Sequence, residues 1–163
     1  MSMSESIVDR QEKIRAKFAS FSDPDDKWKF LLDLAREHKG MDASLKDPKY
    51  KVLGCAAVMY LVPFLDGNLL HFEMDVDGGV TNPLISRGLG VLALMIFNDL
   101  TPQEILSIDS SFFQEIGLNV GLTPSRSNGF ASLLRDIKLY AKIALVGGEV
   151  CKSLIKERKE KNV

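Results

Sequence analysis

Cysteine, histidine and tryptophan are scarce in this chain: two, two and one among 163 residues. Cys55 and Cys151 lie far apart and show no C-x-x-C spacing, which argues against a disulfide-stapled secreted scaffold. His38 and His71 fall in a predicted helix end and a predicted strand, and no second histidine or cysteine stands near either. The close ligand spacing of a zinc or iron site is therefore missing. Convergence of Cys55, His71 and Asp75 in space is the one metal arrangement left open, against a solvent-facing His71. No apolar run is long enough to span a bilayer. The charged first twenty residues lack the apolar region of a signal peptide, so the chain reads as cytoplasmic. Charge of either sign is not in excess: 21 basic residues face 22 acidic ones, and the net charge is −1. That balance argues against phosphate backbones as the main partner, and neither nucleic acid nor membrane is expected. No glycine-rich phosphate loop follows a strand; Gly88 and Gly90 sit inside an apolar helix, where they permit close packing.

What the chain does contain is an ordinary globular composition, 45% apolar and 26% charged. Its length favours one domain, with a core from about residue 10 to 145 and flexible tails over 1–5 and 150–163. Ile7, Ile14, Phe18 and Phe21 recur as one stripe of a helix over Ser6–Phe21. Asp23-Pro24 has the chemistry of a second helix start, which buries Trp28, Leu31, Leu32 and Ala35 and ends near Gly40. A polar loop over 41–53 leads to Gly54-Cys55. Ala56–Leu65 then reads as a strand, with Val58, Tyr60, Val62 and Phe64 on one face. Asp66-Gly67 signals a hairpin, returned by a strand over Leu69–Asp75. A glycine-containing loop runs from Asp75 to Thr81, and Asn82-Pro83 opens an apolar helix to Phe97. Thr101-Pro102-Gln103-Glu104 is a capping box, followed by short helices to Ser107 and over Ser110–Ile116. Thr123-Pro124 starts the last long helix, with Phe130, Leu133, Leu134, Ile137 and Ala141 inward. Gly147-Gly148 should break it, and 149–159 can add a helical tail. The pattern is α+β: a small antiparallel sheet with helices on one face.

Cys55 carries the chemical interest. It follows a glycine where a loop becomes a strand, whereas a structural cysteine usually sits inside an element. A reactive cysteine needs a loop to present it, because the accessible thiolate is the nucleophile. An inert core cysteine is the competing reading. Cys151 lies in a charged tail and is assigned no role. The acidic residues are scattered over helix surfaces and form no acid–base pair.

Four segments together resemble the SufE family of sulfur-acceptor proteins over roughly residues 10–145. They are Val52-Leu53-Gly54-Cys55, Ile85-Ser86-Arg87-Gly88-Leu89, Leu100-Thr101-Pro102-Gln103-Glu104-Ile105, and Gly117-Leu118 followed by Leu122-Thr123-Pro124-Ser125-Arg126-Ser127-Asn128-Gly129. The resemblance implies a SufE/IscU-like fold and a sulfur-acceptor cysteine at Cys55. It implies a pyridoxal-phosphate cysteine desulfurase as donor partner and an iron–sulfur scaffold, or another acceptor, downstream. The pyridoxal phosphate belongs to the desulfurase, so no cofactor of the chain's own is expected, and the chain acts as a carrier rather than an enzyme. Gly54 would give the loop freedom to swing. Arg126, at a helix start, would stabilise a nearby thiolate or pair with a partner carboxylate; a structural arginine tying two loops is the other reading. Asp75-Val76-Asp77 is similar to the family's acidic loop, and Glu115 matches a position often acidic there.

The chain departs from the family where Gly-Cys is usually followed by Gln-Ser-Gln-Val-Trp: it has Ala56-Ala57-Val58-Met59-Tyr60. Tyr50 stands where an asparagine is common, and extra residues over Gly78–Pro83 follow the acidic pair. These changes motivate a second hypothesis, a module of the same fold that docks on a desulfurase or another partner without carrying sulfur. A third is a metal-holding scaffold, which lacks ligands. The apolar strand Val58–Phe64 can be core or the edge of a homodimer.

Overall fold

The structure is a computed structural model and describes residues 6–55, 57–78 and 83–158. The expectations placed on residues 1–5, Ala56, the loop up to Asn82 and the last residues of the tail fall outside these. Helices α1 (Ile7–Ala19) and α2 (Asp26–Glu37) come first, then short 3₁₀ turns at Ala43–Leu45 and Pro48–Tyr50. Strands β1 (Val58–Asp66) and β2 (Leu69–Asp77) form the hairpin. Helices α3 (Pro83–Phe97), α4 (Pro102–Ser107), α5 (Phe112–Glu115), α6 (Pro124–Val146) and α7 (Gly148–Leu154) follow, and a two-residue strand β3 (Lys156–Glu157) ends the described chain. The fold is α+β.

Local chemistry explains most boundaries. Ser6 caps α1 by accepting from the Asp9 N–H, and Thr101 and Glu104 complete a reciprocal capping box on α4. Thr123 accepts from the Arg126 N–H at the head of α6. The second helix starts two residues later than Asp23-Pro24 suggests: Asp25 is its N-cap and makes no side-chain cap bond. Asp23 instead spends its carboxylate on the Asp25 N–H at 2.9 Å. Helix α5 is shorter than expected, because Asp109 accepts from Ser111 N and holds residues 109–111 as a turn.

The hairpin turns on Gly67-Asn68, with Asp66 and Leu69 as the last pair. Gly67 takes a positive φ of 63°, the geometry that favours glycine in a primed hairpin turn. The return strand runs two residues past Asp75, pairing Val76 with Met59 and Asp77 with Val58. The sheet order is β2-β1-β3, and β3 runs parallel to β1 through Phe64–Lys156 and Leu65–Glu157. The sheet is therefore mixed rather than purely antiparallel. The turn at Gly147 and Gly148, both at positive φ, redirects the chain after α6. Ile155 is then buried to 4% exposure, and Leu154 accepts a 2.7 Å hydrogen bond from the Tyr50 hydroxyl. The helical tail expected over 149–159 is present as α7, and Ile155 and the Leu154 carbonyl fasten it to the body; one apolar anchor among charges carries little sequence signal for that docking.

Both faces of the hairpin are buried. Met74 packs against Gly90 of α3 and Phe72 against Tyr140 of α6. On the opposite face Tyr60, Val62 and Phe64 are also buried, and the Arg158 guanidinium stacks 4.8 Å from the Phe64 ring centre. β1 is the middle strand, so the Val58–Phe64 segment is core. Side chains such as Leu61, Phe72 and Leu92 are almost wholly buried, each contributing about 1.5–3 kcal/mol relative to exposure. The expectation for Gly88 and Gly90 holds: a Cβ at Gly88 would meet the Leu31 carbonyl oxygen at 2.2 Å.

The outer edge of β2 is closed by other means. Leu70 exchanges backbone hydrogen bonds with the Asp99–Leu100 segment. The Asn98 side-chain oxygen accepts from Phe72 N at 2.7 Å while its amide donates to Phe72 O. His38 Nε2 lies 2.7 Å from Met74 O, and Arg87 donates to Val76 O at 2.6 Å. Such blocking is a common protection for an exposed strand edge.

Candidate functional site

Cys55 sits on a short finger. Val52 N donates to Met59 O at 2.8 Å, and Lys51 bridges to Tyr60, closing the finger at its base. Val52 and Ala57 are buried and anchor its two sides, while Leu53 is 75% exposed at the tip. Gly54 adopts a φ of +86°, a conformation in which a side chain is strained. A Cβ there would also stand 3.2 Å from the Ser132 hydroxyl. The loop therefore needs glycine immediately before its cysteine.

The Cys55 side chain is half-buried and rests on α6. A Cβ placed on Gly129 would stand 3.0 Å from its Sγ, 3.2 Å from its Cβ and 3.3 Å from its Cα. Met59, Ser86, Leu89, Arg126, Gly129 and Phe130 line the same small pocket, whose free space holds no water-sized sphere. Arg126 is thus brought to Cys55. Among the described residues its guanidinium makes no hydrogen bond or ion pair, only its backbone N–H being held by Thr123.

The other sequence candidates lie elsewhere. Asp75 belongs to the β2 edge, where its carboxylate pairs with Lys46 at 3.2 Å, accepts from Met41 N and lies 3.4 Å from Arg87 Nε. Burial pushes this carboxyl up, but hydrogen bonds from Val76 N and Lys46 more than offset it and hold it below its usual value. It fastens the start of the segment that leads to Cys55. Glu115 forms a surface pair with Arg15 at 3.2 Å and borders a cleft between α1 and α5, not the Cys55 pocket. His71 is half-buried and bonds Asp99 at 2.9 Å. Cys55, His71 and Asp75 do not converge, and among the described residues no group of three such side chains can hold a metal ion.

Met59, Ser86, Leu89, Gly129 and Phe130 line the pocket without being site candidates from the sequence. Gly129 was visible only as the last letter of a signature, Phe130 only as a core position, and Ser86 only as part of a helix entry. The signal that could have found Gly129 is a glycine in the second turn of a long, otherwise regular helix, a position that costs helix stability.

Known proteins resemble this chain in sequence and in fold. The model of the SufE family, described as an Fe-S metabolism associated domain, matches residues 12–141. An uncharacterized SufE-like protein of Synechocystis is 31% identical over 129 residues, covering 79% of this chain and 78% of that one. An uncharacterized SufE-like protein of Rhizobium etli is 28% identical over 137 residues, covering 81% and 89%. The solution structure of a hypothetical protein from Thermus thermophilus superposes with a TM-score of 0.69 at 16% identity, covering 85% of this chain and 97% of that one, a likeness of fold. With most of its length matched by that model, and its cysteine finger seated on the helix that bears the Thr-Pro-Ser-Arg signature, the chain belongs to the SufE family, whose domain is associated with Fe–S metabolism.

Proposed function

We propose that Cys55 accepts sulfur from a cysteine desulfurase and delivers it for iron–sulfur cluster assembly in the cytoplasm. The observation that carries this reading is the Cys55 finger: closed at its base, with Gly54 at positive φ just before the cysteine, and resting its thiol in one pocket with Arg126, which is unpaired among the described residues. The chemistry is thiol–disulfide exchange on a persulfide. The Cys55 thiolate attacks the outer sulfur of a persulfide held on the desulfurase. A new sulfur–sulfur bond forms at Cys55, the old one breaks, and the desulfurase cysteine leaves as a thiolate. Electrons balance without an oxidant. A scaffold thiol then takes the outer sulfur by the same displacement.

The exposed Leu53 beside Cys55 supplies an apolar contact for a docking partner. Where the resemblance to the family leads one to expect polar residues after Gly-Cys, this chain has Ala57, buried in the core, and the half-buried Val58. Packing thus takes over the holding of that side of the finger.

Intact-mass analysis tests the reading. The protein is mixed with a desulfurase and cysteine in the absence of reductant. A gain of one sulfur mapping to Cys55, lost in Cys55→Ser, is the expected result. If the desulfurase binds and turns over while Cys55 stays unmodified, the chain is a docking module and not a carrier.

A further inference from the structure

Between α5, the turn over 117–122 and α6 lies a cavity of about 560 Å³. That volume falls among small-molecule sites, which span about 300–1,000 Å³. Its apolar wall is made by Phe113, Leu118, Phe130 and Leu134, all buried by the fold. The Phe113 and Phe130 rings meet edge to face at 5.1 Å and hold each other in place. Ser127 and Ala131 stand one turn apart on α6. Their side chains are too short to cover the wall, so the hollow stays open. Its charge is of one sign: Arg135 and Lys138 line it, and no aspartate or glutamate does. Each cation is held by a neutral oxygen. Arg135 donates to Ser132 Oγ at 3.1 Å, and Lys138 donates to the Ile108 carbonyl. Among the described residues neither forms an ion pair. Two carboxyls flank them from outside the lining. Asp109 spends its oxygen on the Ser111 N–H, and Asp136, beside Arg135, is half-buried, with burial pushing its carboxyl up. The two cations are the last lining positions on α6, so the charge sits at one end of a stretch of about 16 Å from Ser127 to Lys138.

We propose that this cavity binds a medium-chain monocarboxylate, its tail on the Phe113–Phe130 wall and its carboxylate between Arg135 and Lys138. Residues three apart on a helix share one face, so a single anionic head reaches both cations. The guanidinium supplies the paired donors that a carboxylate takes. The lining beyond them is neutral, with Ser127, Gln114 and Asn119 as its polar groups. A ligand with one charged end and one apolar end matches that division. An acidic peptide matches it less well, because its main-chain polar groups would lie unsatisfied against the apolar wall. The site stands on the packing of α5 against α6 and not on the sulfur-acceptor reading. Phe130 also closes the Cys55 pocket, so the two sites share one ring.

Titration of the isotope-labelled full chain, followed by amide chemical shifts, tests this. The probes are sodium decanoate, kept below the concentration at which it forms micelles, and decanol, a neutral molecule of the same chain length. Decanoate should give saturable shifts centred on residues 110–122 and 127–138. Decanol should bind at least about tenfold more weakly, the loss expected when a charged hydrogen bond is removed. In the double variant Arg135→Gln with Lys138→Gln, decanoate should bind no better than decanol does to wild type. The comparison of the two probes on wild type needs no variant, so it decides the matter even where the double variant fails to fold. Absence of saturation, or equal affinity for decanoate and decanol, overturns the proposal. Shifts centred instead on the exposed Leu139, Val146 and Val150 mark adsorption to surface apolar groups and overturn it too. If an acidic peptide containing phenylalanine saturates residues 110–138 while decanoate does not, the cavity is a seat for a protein segment and the small-molecule proposal falls.

Discussion

Gly88 of α3 lies so close to Leu31 of α2 that a Cβ there would sit 2.2 Å from the Leu31 carbonyl oxygen. Backbone meets backbone at this crossing, and nothing flexible can give way. The crossing sets α3, and with it Ser86 and Leu89 in the cysteine pocket.

Gly88→Ala should therefore destabilise the fold by about 3 kcal/mol, as overpacking of a tight core contact does. At an open helix position the same change would stabilise by about 1 kcal/mol. Urea denaturation decides between the two, and a midpoint at or above wild type contradicts the close crossing.

Asn98→Ala removes both hydrogen bonds to the backbone of Phe72. A cost of about 1–3 kcal/mol is expected, because the two strand groups lose their partners. The variant should also associate as concentration rises, since the edge of β2 is reopened. Light scattering against concentration, beside a thermal melt, checks both effects.

Asp75→Asn should lower stability at pH 7 by about 2 kcal/mol, the worth of hydrogen bonds to a charged group. The carboxyl is held below the 3.8 of an unperturbed aspartate in the folded protein. Its contribution is therefore complete above the unfolded value and disappears as pH falls through the folded one. Wild type and variant should converge below pH 3.8. Denaturation curves at neutral and acid pH test this, and a gap that persists in acid shows that the carboxylate charge is not the cause.

Arg126→Ala should slow sulfur loading of Cys55 about tenfold and weaken its salt dependence, as loss of a charge that meets a partner does. Stability should stay within about 0.5 kcal/mol, because the guanidinium makes no bond among the described residues. Arg126→Lys should recover part of the rate. Single-turnover loading at low and high salt is the measurement, and an unchanged rate removes Arg126 from the transfer.

Much of the fold is legible in the residues because its signals are local. The Thr101–Glu104 box, the Thr123 cap and the glycine turn at residue 67 each act over a few positions, and the structure places them as the chemistry dictates. The docking of 148–158 was not legible. It depends on Ile155 and the Leu154 carbonyl meeting Tyr50, a contact spanning about a hundred residues. The site divides in the same way. Cys55 and Gly54 stand out by their place at a loop's end, and Arg126 by its place at a helix start. The pairing of Cys55 with Gly129 is a matter of tertiary distance, and Asp75 and Glu115 look like site residues until their partners, Lys46 and Arg15, are seen.

The outer edge of β2 has a consequence for company. The backbone groups of Leu70, Phe72 and Val76 and the Met74 carbonyl are already occupied by Asp99–Leu100, Asn98, Arg87, Asp75 and His38. A visiting chain finds no template there on which to add a strand. Recognition by β-augmentation, in which main chain supplies the affinity, is closed to it on this side. A partner must bring side chains that fit side chains, so its choice rests on sequence and shape rather than on the hydrogen bonds every polypeptide can offer.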